Sequence, residues 1–291
     1  AAELGPNNVL VTYNNNTIAE YTRAGALVQT FTDPTFTYDR PIRDIATSGT
    51  KEIYAWNGTF SPAYVGRLNT VTGVWTHLTF TNFSVGNNLT AGGIGVNNRY
   101  VFATDEQAGS ESPPEASQGI VRFDFQNGTA QRFATEYGTW DVTVGLDGYL
   151  YTLGSTSSPG GNLVRKYNPN TLQLLDTVNV EATVGTDHRA IAVNASGQFY
   201  LGGWDGIVHH TDSAGNQLHS ANVSGGVSDV EIDASGFVLI TRATGQVYTS
   251  DQNLTAPALL VTVSGYSRNF GAVVQSAVVH LPVGISSFVL E

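Results

Sequence analysis

A unit of four short strands joined by tight turns repeats along this chain, and one copy is divided between the two ends of the sequence. The clearest copy runs from Arg189 to Val223. It starts with the apolar strand Ala190-Ile191-Ala192-Val193, followed by the turn Asn194-Ala195-Ser196-Gly197. A second strand, Phe199-Tyr200-Leu201-Gly202, and a third, Ile207 to His210, come next. The turn Asp212-Ser213-Ala214-Gly215 then leads into a fourth strand, Gln217 to Val223. Asp or Asn at the head of each turn and Gly at its end supply the local hydrogen bond and the positive φ that a tight hairpin requires.

The same order recurs from Asp44, Ile94, Asp141 and Asp229. The divided copy has Val9 to Tyr13, Ile18 to Tyr21 and Leu27 to Phe31 at one end of the sequence. Its innermost strand is missing there, and Phe270 to Gln275 supplies it. First strands thus begin near residues 44, 91, 141, 190, 229 and 270, a spacing of about 40 to 50 residues, which is the period of a four-stranded propeller blade. The expected fold is all-β: a six-bladed β-propeller over residues 1–276, its ring closed by a C-terminal inner strand joining an N-terminal three-strand blade. Residues 277–291 remain as an apolar tail.

Composition agrees with strands and turns. Charged residues are 13%, Gly numbers 32, and no stretch of helical length shows a 3.6-residue apolar period. The net charge of -11 repels phosphate backbones, so no nucleic-acid partner is expected. No apolar run reaches membrane-spanning length. The chain has no Cys, which excludes disulfides and thiol chemistry, and no Met. The opening Ala1-Ala2-Glu3 suits a mature end left by signal-peptide cleavage or a trimmed chain. Asn-x-Ser/Thr sequons at Asn15, Asn57, Asn82, Asn88, Asn127, Asn194, Asn222 and Asn253 are glycosylation candidates and fit an extracellular location, although Asn-rich turns also produce them.

The pattern resembles the six-bladed propeller families, chiefly NHL-repeat, gluconolactonase-like and streptogramin-lyase-like proteins. Pieces such as Val144-Gly145-Leu146-Asp147-Gly148-Tyr149-Leu150-Tyr151 and Ile232-Asp233-Ala234-Ser235-Gly236-Phe237-Val238 carry it. The gluconolactonase-like resemblance implies a metal held by channel carboxylates and an Asn. Asp141 and Asp229 offer two such ligands, but no Glu begins an early blade. The streptogramin-lyase-like resemblance implies a catalytic His on the same face, where His188 is the candidate.

The long connections all project to one face of such a ring, where recognition is expected. The inner strands begin there with Arg43-Asp44, Trp140-Asp141, His188-Arg189, Asp229 and Arg268-Asn269. Converging on a channel mouth, these groups would bind a small anion or a sugar. Paired with one another and with loop backbone, they would instead hold the blades in register. His209 and His210 are adjacent on a strand and point to opposite faces, so they cannot share a metal. Trp56, Trp75, Trp140 and Trp204 would serve as a sugar platform or as core. The loop Asp105 to Glu115 carries four carboxylates, a composition open to calcium but with no recognised calcium-loop spacing. Otherwise no cofactor and no resident metal are expected.

Within the tail, Val278, Val279, Leu281, Val283, Ile285, Phe288, Val289 and Leu290 are apolar and β-prone, and no blade remains for them to complete. They would pack on their own ring or add to the exposed outer strand of another copy. Head-to-tail addition does not close on itself and builds a filament. The expectation is therefore a secreted, non-enzymatic structural or adhesive protein whose partners are copies of itself, with glycans as a second class of partner. A carbohydrate- or small-ligand-binding module, or a metal-dependent lactonase or lyase, is the alternative.

Overall fold

Short β-branched and aromatic segments cut by Asx-headed turns pair with their sequence neighbours, and the chain folds as a series of such meanders. The structure, a computed structural model, describes residues 2–13, 15–37, 41–58, 63–80, 93–105, 119–134, 139–154, 162–263 and 272–274. The strands are β1 (Val9–Tyr13), β2 (Thr17–Tyr21), β3 (Leu27–Thr32), β4 (Asp44–Ser48), β5 (Glu52–Trp56), β6 (Ala63–Asn69) and β7 (Val74–Phe80). They continue with β8 (Ile94–Val96), β9 (Tyr100–Asp105), β10 (Gly119–Asp124), β11 (Thr129–Ala134), β12 (Thr139–Val144), β13 (Leu150–Gly154), β14 (Leu163–Tyr167) and β15 (Leu174–Asn179). A single helical turn, α1 (Glu181–Val184), precedes β16 (His188–Val193), β17 (Phe199–Gly203), β18 (Ile207–Thr211) and β19 (Gln217–Asn222). The last are β20 (Val227–Ile232), β21 (Val238–Arg242), β22 (Gln246–Ser250), β23 (Ala258–Thr262) and β24 (Ala272–Val274).

These form six four-stranded sheets, the six blades of a β-propeller. Blade one is β24-β1-β2-β3, and blades two to six take β4–β7, β8–β11, β12–β15, β16–β19 and β20–β23. The ring closes as the sequence implies: β24 pairs antiparallel with β1, with Val9 opposite Val274, Leu10 opposite Val273 and Val11 opposite Ala272. The division at 276/277 and the whole tail, including Val278 to Leu290, lie outside the described residues.

The turns explain the repetition. Asp212 Oδ1 accepts the N–H of Ala214 at 2.9 Å and of Asn216 at 2.8 Å, while Gly215 sits at φ 86°. That left-handed position is cheap for Gly and costs a β-branched residue about 1 kcal/mol or more. Asn69, Asp124, Asn168 and Asp251 head the corresponding turns of other blades in the same way.

The core is divided into wedges, one at each junction between blades. Trp56, Val65, Ile94 and Phe123 fill the junction of blades two and three; Leu10, Ile18, Ile45 and Ile53 fill that of one and two. Leu153, Val164, Ile191 and Phe199 do so between four and five. An inner strand therefore buries both faces, one side chain toward the preceding blade and the next toward the following one. This is why β8 and the stretch Ala190 to Val193 of β16 read as continuous runs of apolar residues and Gly. The N-terminal segment adds Leu4, buried over the junction of blades one and two.

Candidate functional site

Hairpin turns between first and second strands, and between third and fourth, lie on one face of the ring. The inner strands start at the other face. Three of these strands carry an Asp in their first three residues: Asp44 in β4, Asp141 in β12 and Asp229 in β20. In each the side chain bends back on its own strand: Asp44 Oδ1 accepts Ile45 N–H at 2.8 Å, Asp141 Oδ1 accepts Val142 N–H at 2.7 Å, and Asp229 Oδ1 accepts Val230 N–H at 2.8 Å. The second oxygen crosses to the following blade. Asp44 Oδ2 accepts Ile94 N–H at 3.0 Å, and Asp141 Oδ2 accepts Ile191 N–H at 2.8 Å. The three aspartates stand on blades two, four and six, and the bonds of Asp44 and Asp141 staple adjacent blades through main-chain donors.

The channel is electrostatically tense. Burial pushes the Asp44 carboxyl well above the usual carboxylate range, and the charges of Asp229, Asp141 and Glu231 push it further. Burial and Asp229 raise Asp141 likewise, against the opposing hydrogen bonds from Ile191 and Val142. Glu231 is raised by burial, then by Asp229 and Asp141. The sequence reading missed Glu231, although it stands two residues after Asp229 on one strand and so shares its face. Gly93 leaves the room this arrangement needs: a methyl there would stand 2.5 Å from Val142 N and closer still to the Asp141 carboxylate.

The other expected residues separate by role. Arg43 is buried and its N–H donates to Trp56 O at 2.7 Å. Arg189 pairs with Asp187 at 2.8 Å, and its guanidinium lies 4.5 Å from the Trp140 ring centroid and 5.4 Å from that of Trp204. Trp204 is 43% exposed. This indole–guanidinium–indole stack is an amphipathic surface at the mouth. His188, beside Arg189 in sequence, points the other way and is fully buried, its ring 5.0 Å from that of His209. Burial, and next the His209 charge, push its pKa down to about 4, so it is neutral at pH 7. Arg268 and Asn269 lie outside the described residues.

His209 and His210 do point to opposite faces: His210 stacks on Tyr200 at 4.3 Å, away from the His188–His209 pair. The shared Trp platform is corrected. Trp56 is completely buried in the wedge between blades two and three, and Trp75 packs against the wedge between blades one and two, so only Trp140 and Trp204 of the four flank Arg189. Among the described residues no group of three or more His, Asp or Glu is placed to hold a metal ion. Asp44 and Asp141 give both carboxylate oxygens to backbone N–H groups instead. Within the candidate calcium loop only Asp105 is described, by its backbone.

Of the sequons, Asn57 is fully buried and its Oδ1 accepts Tyr64 N–H at 2.9 Å, so the fold has no room for a glycan there. Asn127, Asn222 and Asn253 are exposed, whereas Asn15 and Asn194 are half-buried. Asn82 and Asn88 lie outside the described residues.

No protein-family model matches the sequence, and no curated protein does. Solved structures do. The chain is similar to one in the crystal structure of a nidogen/laminin complex, with TM-score 0.66 and 13% identity, covering 93% of this chain and 98% of that one. It is similar to TolB from Acinetobacter baumannii, with TM-score 0.61 and 12% identity over 93% and 67% of the two chains. It is also similar to apo AztD from Citrobacter koseri, with TM-score 0.52 and 12% identity over 93% and 98%. At such identities the likeness is one of fold alone, that of a β-propeller.

Proposed function

We propose that the chain is a non-catalytic structural subunit of an extracellular assembly, each copy adding its segment 277–291 as a strand to the outer edge of a neighbour's blade. The observation that carries this reading is that six blades are complete with β24, so the apolar stretch from Val278 to Leu290 has no blade position left. Open edges are available to receive it: among the described residues, β3, β7, β11, β15, β19 and β23 each have a strand neighbour on one side alone. Five of them expose large aliphatic residues near their start, among them Leu27 at 59%, Val74 at 56% and Leu259 at 55%. An added strand gains main-chain hydrogen bonds along the edge and covers such side chains. The extracellular location rests on the exposed sequons at Asn127, Asn222 and Asn253.

Deleting 277–291 tests the reading. The truncated chain should keep its β-sheet circular dichroism and become monomeric by light scattering, while the full chain forms filaments in electron micrographs. Assemblies that persist after deletion would remove the tail from the proposal.

A second reading is favoured by the Trp140–Arg189–Trp204 stack, whose exposed indole suits the apolar face of a sugar ring. Glycan-array binding that disappears in Trp204→Ala would support it, and binding unaffected by that change would set it aside.

A further inference from the structure

The junctions between blades are not equally filled on the hairpin face. The second residue of each third-to-fourth-strand turn stands on this face, and in blades one and three its side chain reaches the preceding blade. Arg23 holds this position in blade one. It forms an ion pair with Asp233 of blade six, and its guanidinium lies 4.1 Å over the Phe237 ring. Phe125 holds it in blade three, 5.7 Å from the Tyr54 ring of blade two. Pro169 holds it in blade four and is buried, with Arg122 of blade three donating to Asn170 O at 2.8 Å beside it. Gln252 holds it in blade six, where its carbonyl accepts the Tyr200 hydroxyl at 2.9 Å. Thr70 holds it in blade two and is buried beneath the N-terminal segment with Leu4.

In blade five the residue is Ser213. Its turn has the hydrogen bonds of the Arg23 turn, Gly215 N–H to Asp212 O and Gly25 N–H to Thr22 O, so the two positions correspond. A small residue here leaves a cleft of about 350 Å³ between blades four and five, a volume at the lower end for small-ligand sites. Gly197, at φ 74°, lines the cleft beside Asp147 and Tyr151.

The charges in the cleft are unevenly used. Asp147 Oδ2 accepts both the Tyr151 hydroxyl at 2.6 Å and Lys166 Nζ at 3.2 Å. Lys166 is folded over its own blade, 3.8 Å above the Tyr149 ring. Asp176 faces Lys166 across the strand register yet forms no ion pair with it among the described residues. Its Oδ1 caps its neighbour's N–H, Thr177, at 2.8 Å. Val164, Val178 and Phe199 form an apolar wall beside it. Asp147 thus has its cation in Lys166, while Asp176 has the apolar wall beside it and no ion pair among the described residues.

We propose that this cleft binds an organic cation, a guanidinium or primary ammonium on a short aliphatic stem, with the charge against Asp176 and the stem along Val164, Val178 and Phe199. Residues 277–291 contain no Lys or Arg, so the site is separate from the assembly proposed above.

Titration calorimetry with butylguanidinium, and with butylurea as its uncharged counterpart of the same shape, tests this on the full chain. Saturable binding of butylguanidinium is expected, with butylurea about tenfold weaker for want of the charge. Asp176→Asn, at an exposed position that does not endanger folding, should weaken butylguanidinium by about tenfold as well. Ser213→Arg, which places in blade five the plug that blade one carries, should abolish binding. No saturation, equal binding of butylurea, or binding unchanged in Asp176→Asn would each overturn the proposal.

Discussion

Asp141 Oδ2 accepts the backbone N–H of Ile191 at 2.8 Å, joining the inner strand of blade four to that of blade five. The bond is made by a side chain whose ionised form is disfavoured by burial and by Asp229. Structure and electrostatics therefore pull in opposite directions at this residue, which gives the first prediction. Asp141→Ala leaves two buried N–H groups without this acceptor and should lower the unfolding free energy by about 2 kcal/mol. Asp141→Asn keeps one acceptor and removes the charge, so its loss should be about half as large. Urea unfolding of the two variants measures the order; equal losses would show that the N–H bonds contribute nothing.

Gly93 faces the same carboxylate and has no space for a side chain. Gly93→Ala must displace Asp141 or the backbone at Val142, and should cost about 3 kcal/mol. Its effect and that of Asp141→Ala should be strongly non-additive in a double-mutant cycle, because both act on one contact.

Glu231 faces Asp229 and Asp141, and its folded pKa is raised. A carboxylate raised in this way binds its proton more tightly in the folded state. Its contribution to stability is therefore fully present at low pH and is lost as pH rises through the folded pKa. Glu231→Gln removes that loss. The variant should be more stable than the parent by about 1 kcal/mol at neutral pH and equal to it below the usual Glu range, about pH 4. Chemical unfolding at both pH values decides it, and an unchanged neutral-pH midpoint would count against the channel repulsion.

His188 has the opposite sign. Its folded pKa is pushed down to about 4 by burial and then by His209, while an unfolded His takes its proton near 6.5. Stability is thus present above about pH 6.5 and is lost as pH falls toward 4, by up to about 3 kcal/mol for this residue. His210, also pushed down to about 4, by burial and then by His219, acts in the same direction. Melting temperature against pH should fall across this window, and His188→Gln should make the fall shallower. A profile identical to the parent's would mean that His188 charges without cost.

Arg189 is held by Asp187 and stacked against two indoles. Arg189→Ala should cost about 1 kcal/mol and red-shift tryptophan fluorescence as Trp140 and Trp204 gain water. An emission spectrum that does not move would show that the stack is not populated.

How far the sequence reads depends on the range of the forces involved. Strand order, turn positions and the junction of Val9 to Tyr13 with the strand at Ala272–Val274 follow from patterns a few residues long, and from the need of an orphan strand for a partner. The Asp44, Asp141 and Asp229 starts were visible for the same reason, each heading an apolar inner strand. Glu231 was overlooked because it sits mid-strand, where an acidic residue has no local signature. The sequence left the role of the aspartates open between ligand binding and register; the N–H groups of Ile94 and Ile191 come from residues 50 positions away and were not legible.

Local chemistry thus determined that this chain makes six alternating wedges and that its ends meet, because hydrogen-bond pairing and turn conformation are settled between neighbours along the chain. The tertiary structure alone decided which carboxylates turn to backbone, which histidine is sealed away from water, and that a cleft stands beside Ser213. Those outcomes depend on what the adjacent blade presents at a few ångströms, and two residues on different blades share no pattern in the sequence that would announce their contact.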